Sequence, residues 1–233
     1  MTAALLFLLL VIGVSGWWLS HQRLFSKPWL ESGPDSIVEG TDRISMPKAK
    51  IGLVVFLGVV GIVFALLTSG YLMRQVNADW RTMPLPRILW LNTGLLMLGS
   101  FSLHRALRAA RARDADSVRF WLLNAAGATL GFMIGQAVAW QQAVSNGFVL
   151  TANPANAFFY MLTGIHGLHI LGGLVALGRT TATAWANDAA STDAMPLRIE
   201  LCALYWHFLL AVWLILLAVM LGWAHDPFIL SRH

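Results

Sequence analysis

Several stretches of this chain run for about twenty residues without a charged side chain, the length a helix needs to cross the hydrocarbon core of a bilayer. Six are read: residues 3–19, 51–73, 87–103, 120–144, 157–177 and 200–224. Inside a membrane every backbone N–H and C=O must be paired internally, so runs of this length fold as helices. Composition agrees. Hydrophobic residues make up 58% of the 233 and charged residues 12%, where a soluble domain carries about 25% charged. A soluble enzyme, a secreted disulfide scaffold and a disordered chain are thereby excluded. The single cysteine, Cys202, lies in an apolar run and reads as a small buried hydrophobe.

The expected fold class is therefore all-α, a polytopic membrane protein with six transmembrane helices. Trp17 and Trp18 read as interfacial anchors at the end of the first span. No Lys or Arg precedes that span and no small-residue cleavage pattern follows it, so a retained helix is expected rather than a signal peptide. Residues 21–50 carry Pro28, Pro34 and Pro47 with both signs of charge and read as a connecting loop. The organisation that follows is a helix over 1–20, a loop over 21–50, a five-helix domain over 51–225 and a tail over 226–233.

The net charge of +5 is no sign of nucleic acid here, because the cations sit in loops and set orientation. The first, third and fifth connections hold twelve Lys and Arg, and the opposite side holds four. By the positive-inside rule the first set is cytoplasmic and both termini face outside. An integral protein of a bacterial-type cytoplasmic membrane is expected.

Ionisable groups within spans are costly and therefore point to function. Of eleven acids only Glu200 falls within a span, at the expected start of the last helix, where it can offset the positive end of the helix dipole. So few titratable groups leave no evident proton path. Histidine is the other lead, since imidazole ligates haem and metals. His166 and His169, three apart, share one helix face, and His207 lies in the last span. No cysteine cluster or carboxylate completes a metal set around them, so hydrogen bonding to neighbouring helices or lipid is the expected role, with a standalone b-type cytochrome as the competing reading. Gly164, Gly167, Gly172 and Gly173 mark the fifth span for close packing, and Gln136 gives the fourth a polar side.

Four stretches carry a family resemblance. FYMLTGIHGLHILGGLVA (159–176) and YWHFLLAVW (205–213) resemble the T-G-F-H-G-L-H-V and Y-W-H-F-V-D-x-x-W segments of subunit III of haem-copper oxidases. LWLNTGLLMLGS (89–100) and FALLTSGYLMR (64–74) are similar to two further helices of that subunit, in the same order. The resemblance covers roughly residues 50–225. It implies a bundle with a V-shaped cleft holding phospholipids, packed on subunit I beside subunit II and possibly a small subunit. It also implies an accessory, non-redox role that supports the stability, oxygen access and sustained turnover of a cytochrome c-oxidising enzyme. Haem and copper then belong to the partners, and this chain has no catalytic or metal residues. A quinol oxidase or a nitric oxide reductase is the alternative host.

His166, His169, Tyr205, Trp206, His207, Glu200 and Gln136 are the expected structural or interface residues. Arg74, Trp206 and His207 are the lipid-binding candidates, a guanidinium being well suited to a phosphate. Three acids common in the family are replaced, by Val60, Ala139 and Leu210. Any role of those carboxylates does not carry over.

Overall fold

A computed structural model describes residues 48–81, 83–186 and 194–222. The expected first span and most of the connection after it lie outside the described residues. Five helices appear, with no strand among the described residues: α1 (Lys48–Arg74), α2 (Ile88–Arg111), α3 (Ala115–Ser145), α4 (Pro154–Trp185) and α5 (Met195–Met220). The described chain divides into two compact units after Ala65.

In the first unit, α1 buries Val54, Leu57, Val60 and Phe64, spaced three or four apart, and exposes Val55, Phe56, Val59 and Ile62. Both faces are apolar. That pattern excludes a surface helix of a soluble protein, which would turn polar residues outward.

In the second unit α2 packs on α3 and α5, α3 on α4, and α4 on α5. The four close into a ring of antiparallel neighbours, an up-and-down bundle. The end of α2, start of α3, end of α4 and start of α5 share one end of it. That end carries seven arginines (105, 108, 111, 113, 119, 179 and 198), against Arg74, Arg81 and Arg87 at the other.

Four of the five helices, all except α2, are long and apolar enough to cross a membrane. Of the six helices expected, the described residues hold five: four that are long and apolar enough to span and a fifth, α2, that falls short in composition. The reason is visible in its packing. Asn92, Thr93, Ser100 and Ser102 lower its apolarity, yet all four are buried against neighbours, while Trp90, Leu91, Met97, Leu98 and Phe101 face outward.

The helices also overrun the expected spans, for local reasons. The side chain of Asp114 caps α3 by accepting from the Ser117 amide at 3.1 Å, and Asn153 caps α4 by accepting from Ala155 at 3.2 Å. Thr180 and Thr183 bond back to the carbonyls of Ala176 and Arg179 and carry α4 onward. Arg119 Nε then donates to the Ala184 carbonyl at 3.0 Å, taking one of the orphan acceptors at the helix end. At α5, Pro196 stands in the first turn, where a missing N–H costs nothing.

Candidate functional site

The polar groups of the second unit converge on helix–helix seams. Three contacts use one device, two between neighbours in the ring and one, from α5 to α3, across it. Trp213 Nε1 on α5 donates to Thr93 Oγ1 on α2 at 2.9 Å, Trp206 Nε1 on α5 to Thr129 Oγ1 on α3 at 3.2 Å, and Trp140 Nε1 on α3 to Thr163 Oγ1 on α4 at 3.0 Å. Each threonine hydroxyl in turn donates to the carbonyl four residues back in its own helix, at 2.8, 2.8 and 2.7 Å. An indole N–H thus finds an acceptor in a place where none could come from water, as a buried donor requires.

The seam between α4 and α5 holds the histidines. His166 is 0% exposed. Its Nε2 lies 3.1 Å from the Leu209 carbonyl, to which it donates, and its ring sits 5.1 Å from Trp213 and 5.8 Å from Phe132. His169, one turn on, is half-buried and bonds through Nδ1 to Ile165 O of its own helix at 2.8 Å. Tyr205 OH donates to the His169 carbonyl at 2.7 Å. This approach needs Gly173: a Cβ there would lie 2.5 Å from the Tyr205 ring and 3.0 Å from Trp206. His207 is exposed, and its Nδ1 bonds to Ala203 O of its own helix. Among the described residues no three or more His, Cys, Asp or Glu side chains gather where they could hold a metal ion.

Gln136 is buried and accepts from Asn92 Nδ2 at 3.3 Å across the α2–α3 seam. Gly135 lies beneath that pair, and a Cβ there would fall 2.0 Å from Asn92 Oδ1.

Three expectations change. Trp206 is 1% exposed and gives its indole N–H to Thr129, so its side chain lies inside the bundle and not on its lipid-facing surface. Glu200 is not in the first turn of its helix, because α5 begins five residues earlier at Met195. It pairs instead with Arg111 at 3.7 Å. Arg74 forms a bidentate pair with Asp79 at 2.7 and 2.5 Å, so a lipid phosphate would have to displace that carboxylate. The Arg74 guanidinium holds the Asp79 carboxyl below the usual carboxylate range. The pair is therefore fully formed above that range and weakens only as pH falls through the depressed value. Ala139, one of the positions where the resemblance implies a replaced acid, is fully buried.

Asn92, Thr93, Thr129, Trp140, Thr163 and Trp213 were not among the expected site residues. Their signal was available: each is a side chain with a polar atom inside an apolar run, which a membrane helix tolerates only where a partner waits.

With this geometry in view, comparison with known proteins is informative. A family model described as cytochrome c oxidase subunit III matches residues 81–225. The "Probable cytochrome c oxidase subunit 3" of Mycobacterium tuberculosis is 30% identical over 194 residues, covering 79% of this chain and 92% of that relative. The corresponding protein of Nocardia farcinica is 28% identical over 195 residues, covering 79% and 93%. The "Cytochrome c oxidase subunit 3" of Synechocystis is 29% identical over 172 residues, covering 71% of each chain.

Proposed function

Because the chain belongs to the cytochrome c oxidase subunit III family, we propose that it packs on the catalytic subunit I of a haem-copper oxidase and sustains that subunit's turnover without itself carrying electrons. The chain is a subunit III of a haem-copper oxidase and a membrane protein. The specific role, the contact with subunits I and II, and cytochrome c as donor are our reading. One observation carries it. The core of the bundle spends its polar atoms on joining helix to helix, as at the Trp–Thr seams and at His166. Such a chain is a scaffold. Its wide apolar outer faces suit lipid and neighbouring transmembrane subunits.

On this reading haem and copper reside in the partners and phospholipid lies against this chain. The arginine-rich end of the bundle faces the cytoplasm of a bacterial-type inner membrane, following the positive-inside rule. The test compares the oxidase purified with and without this chain. Equal haem spectra and equal initial rates per haem are expected, with activity decaying several-fold faster over repeated turnovers when the chain is missing. Loss of a haem band in proportion to loss of the chain contradicts the reading.

A further inference from the structure

Among the described helices α2 alone is long enough to cross a bilayer and yet too polar to do so by composition. Its 24 residues reach about 36 Å. Between residues 88 and 103 its amide and hydroxyl side chains, Asn92, Thr93, Ser100 and Ser102, are all buried. Trp90, Leu91, Met97, Leu98 and Phe101 face outward. A lone α2 would turn its polar side to hydrocarbon, where an amide without a partner is strongly disfavoured.

The next helix covers that side at successive levels. Asn92 Nδ2 donates to Gln136 Oε1 at 3.3 Å. A Cβ at Gly131 would lie 3.3 Å from Leu95 Cδ1, and one at Gly99 would lie 3.8 Å from Ala125 O, Ala128 and Thr129. Arg105 sits 5.3 Å over the Trp121 ring. The partner on α3 steps back as the position on α2 advances, so the pair keeps one antiparallel register from residue 92 to 105. Small residues at 99, 131 and 135 let the backbones approach closely. The turn between the helices is three residues, 112–114, closed by the amides of Arg113 and Asp114 on the carbonyls of Ala110 and Ala109. By contrast, Trp213 of α5, which meets Thr93, lies 120 residues further along the chain. Thr93 can wait for it, because its hydroxyl already donates to Leu89 O at 2.8 Å. Asn92 is answered on α3.

We propose that α2 is a conditional span, which enters the membrane only as one hairpin with α3. Gln136 and the glycine-lined face of α3 cover the side of α2 that lipid would reject, and the hairpin as a whole presents an apolar surface. Arg108, Arg111 and Arg113 hold its turn on the cytoplasmic side. This holds whatever enzyme the chain serves.

The test follows the full chain in the inner membrane of a bacterial host. Cys202→Ala removes the native thiol and Ala112→Cys places one in the α2–α3 turn. A membrane-impermeant maleimide added to intact spheroplasts should leave this thiol unlabelled. Gly135→Leu drives a side chain into Asn92 while making α3 more apolar. It should raise labelling several-fold, because α3 still enters and α2 no longer crosses with it. Gly94→Leu with Trp90→Leu then adds apolarity on the outer face, where Gly94 has open space and Trp90 is exposed. These two touch no residue of α3 and should return labelling to its starting level. Labelling that never rises in the Gly135→Leu chain overturns the proposal, and so does labelling that the outer-face substitutions do not reverse. If the Gly135→Leu chain is degraded, the wild type decides. Nascent chains carrying an arrest peptide report the pull on each span as it enters the membrane. One joint event at the length where α3 enters is expected, and a separate earlier event for α2 overturns the proposal.

Discussion

The Trp213–Thr93 bond joins a residue near the middle of α5 to one near the start of α2, and its value follows from what surrounds it. Thr93→Val keeps the shape and removes the acceptor, leaving a buried indole N–H with no partner. Such a loss costs about 1–3 kcal/mol, although helix–helix hydrogen bonds in membranes average about 0.6 kcal/mol. A destabilisation of about 1–2 kcal/mol is expected in reversible denaturant titration of the detergent-solubilised chain. Trp213→Phe should cost more, through lost volume. The double variant should recover about 0.6–1 kcal/mol relative to the sum, and strict additivity would dissociate the pair. Gly135 gives a second residue-scale test. Gly135→Ala drives a methyl into Asn92 Oδ1 and should destabilise by about 2 kcal/mol. Asn92→Ala in the same chain should recover most of it. These residues show what could be read in advance and what could not. That Asn92 and Thr93 needed partners was legible from their place in an apolar run. Which indole or amide would answer was not, because the partners lie 120 and 44 residues away. His166 and His169 looked equivalent by spacing; burial separates them, one in the core and one at its margin.

At the scale of elements, the two connections flanking α3 solve one problem with different residues. Both helix ends close with paired bonds. Gly147 N reaches Val144 O and Phe148 N reaches Ala143 O at the end of α3, each at 3.0 Å. Arg113 N and Asp114 N do the same with Ala110 O and Ala109 O at the end of α2. This motif requires a left-handed residue, and Gly147 (φ +84°) supplies it without strain where Arg113 (φ +57°) does not. Arg113→Gly should therefore stabilise the α2–α3 hairpin by about 0.5–1 kcal/mol, and Gly147→Ala should destabilise by about 1 kcal/mol, each read as a shift in thermal midpoint. The existence and order of these helices were legible from apolar length alone. Their ends were less so. The last span was expected to start at residue 200, yet proline is suited to a first turn and α5 begins at Met195. The fifth span was expected to end at 177, but the hydroxyls of Thr180 and Thr183 bond back to the helix they prolong.

The second unit is a bundle that is apolar both inside and out, with threonine, asparagine and histidine set at its seams among buried leucine, phenylalanine and tryptophan, and with leucine, phenylalanine and tryptophan again on its outer faces. Such outer faces are stable only against lipid and other transmembrane helices. Two of the motifs that carry the family resemblance, TGIHGLH and YWHF, are used by the structure for packing α4 on α5. Those motifs were legible in the sequence as a resemblance, whereas their job as a seam needed the fold. The central claim is that this chain works as a partner of a haem-bearing catalytic subunit. Affinity purification of the chain in mild detergent, with copurifying subunits identified by mass spectrometry and an optical spectrum recorded, tests it most directly. The account predicts a large haem-bearing subunit and a copper-bearing subunit in stoichiometric amounts, with every haem band assignable to the partner. Recovery of the chain alone with a Soret band of its own would contradict it.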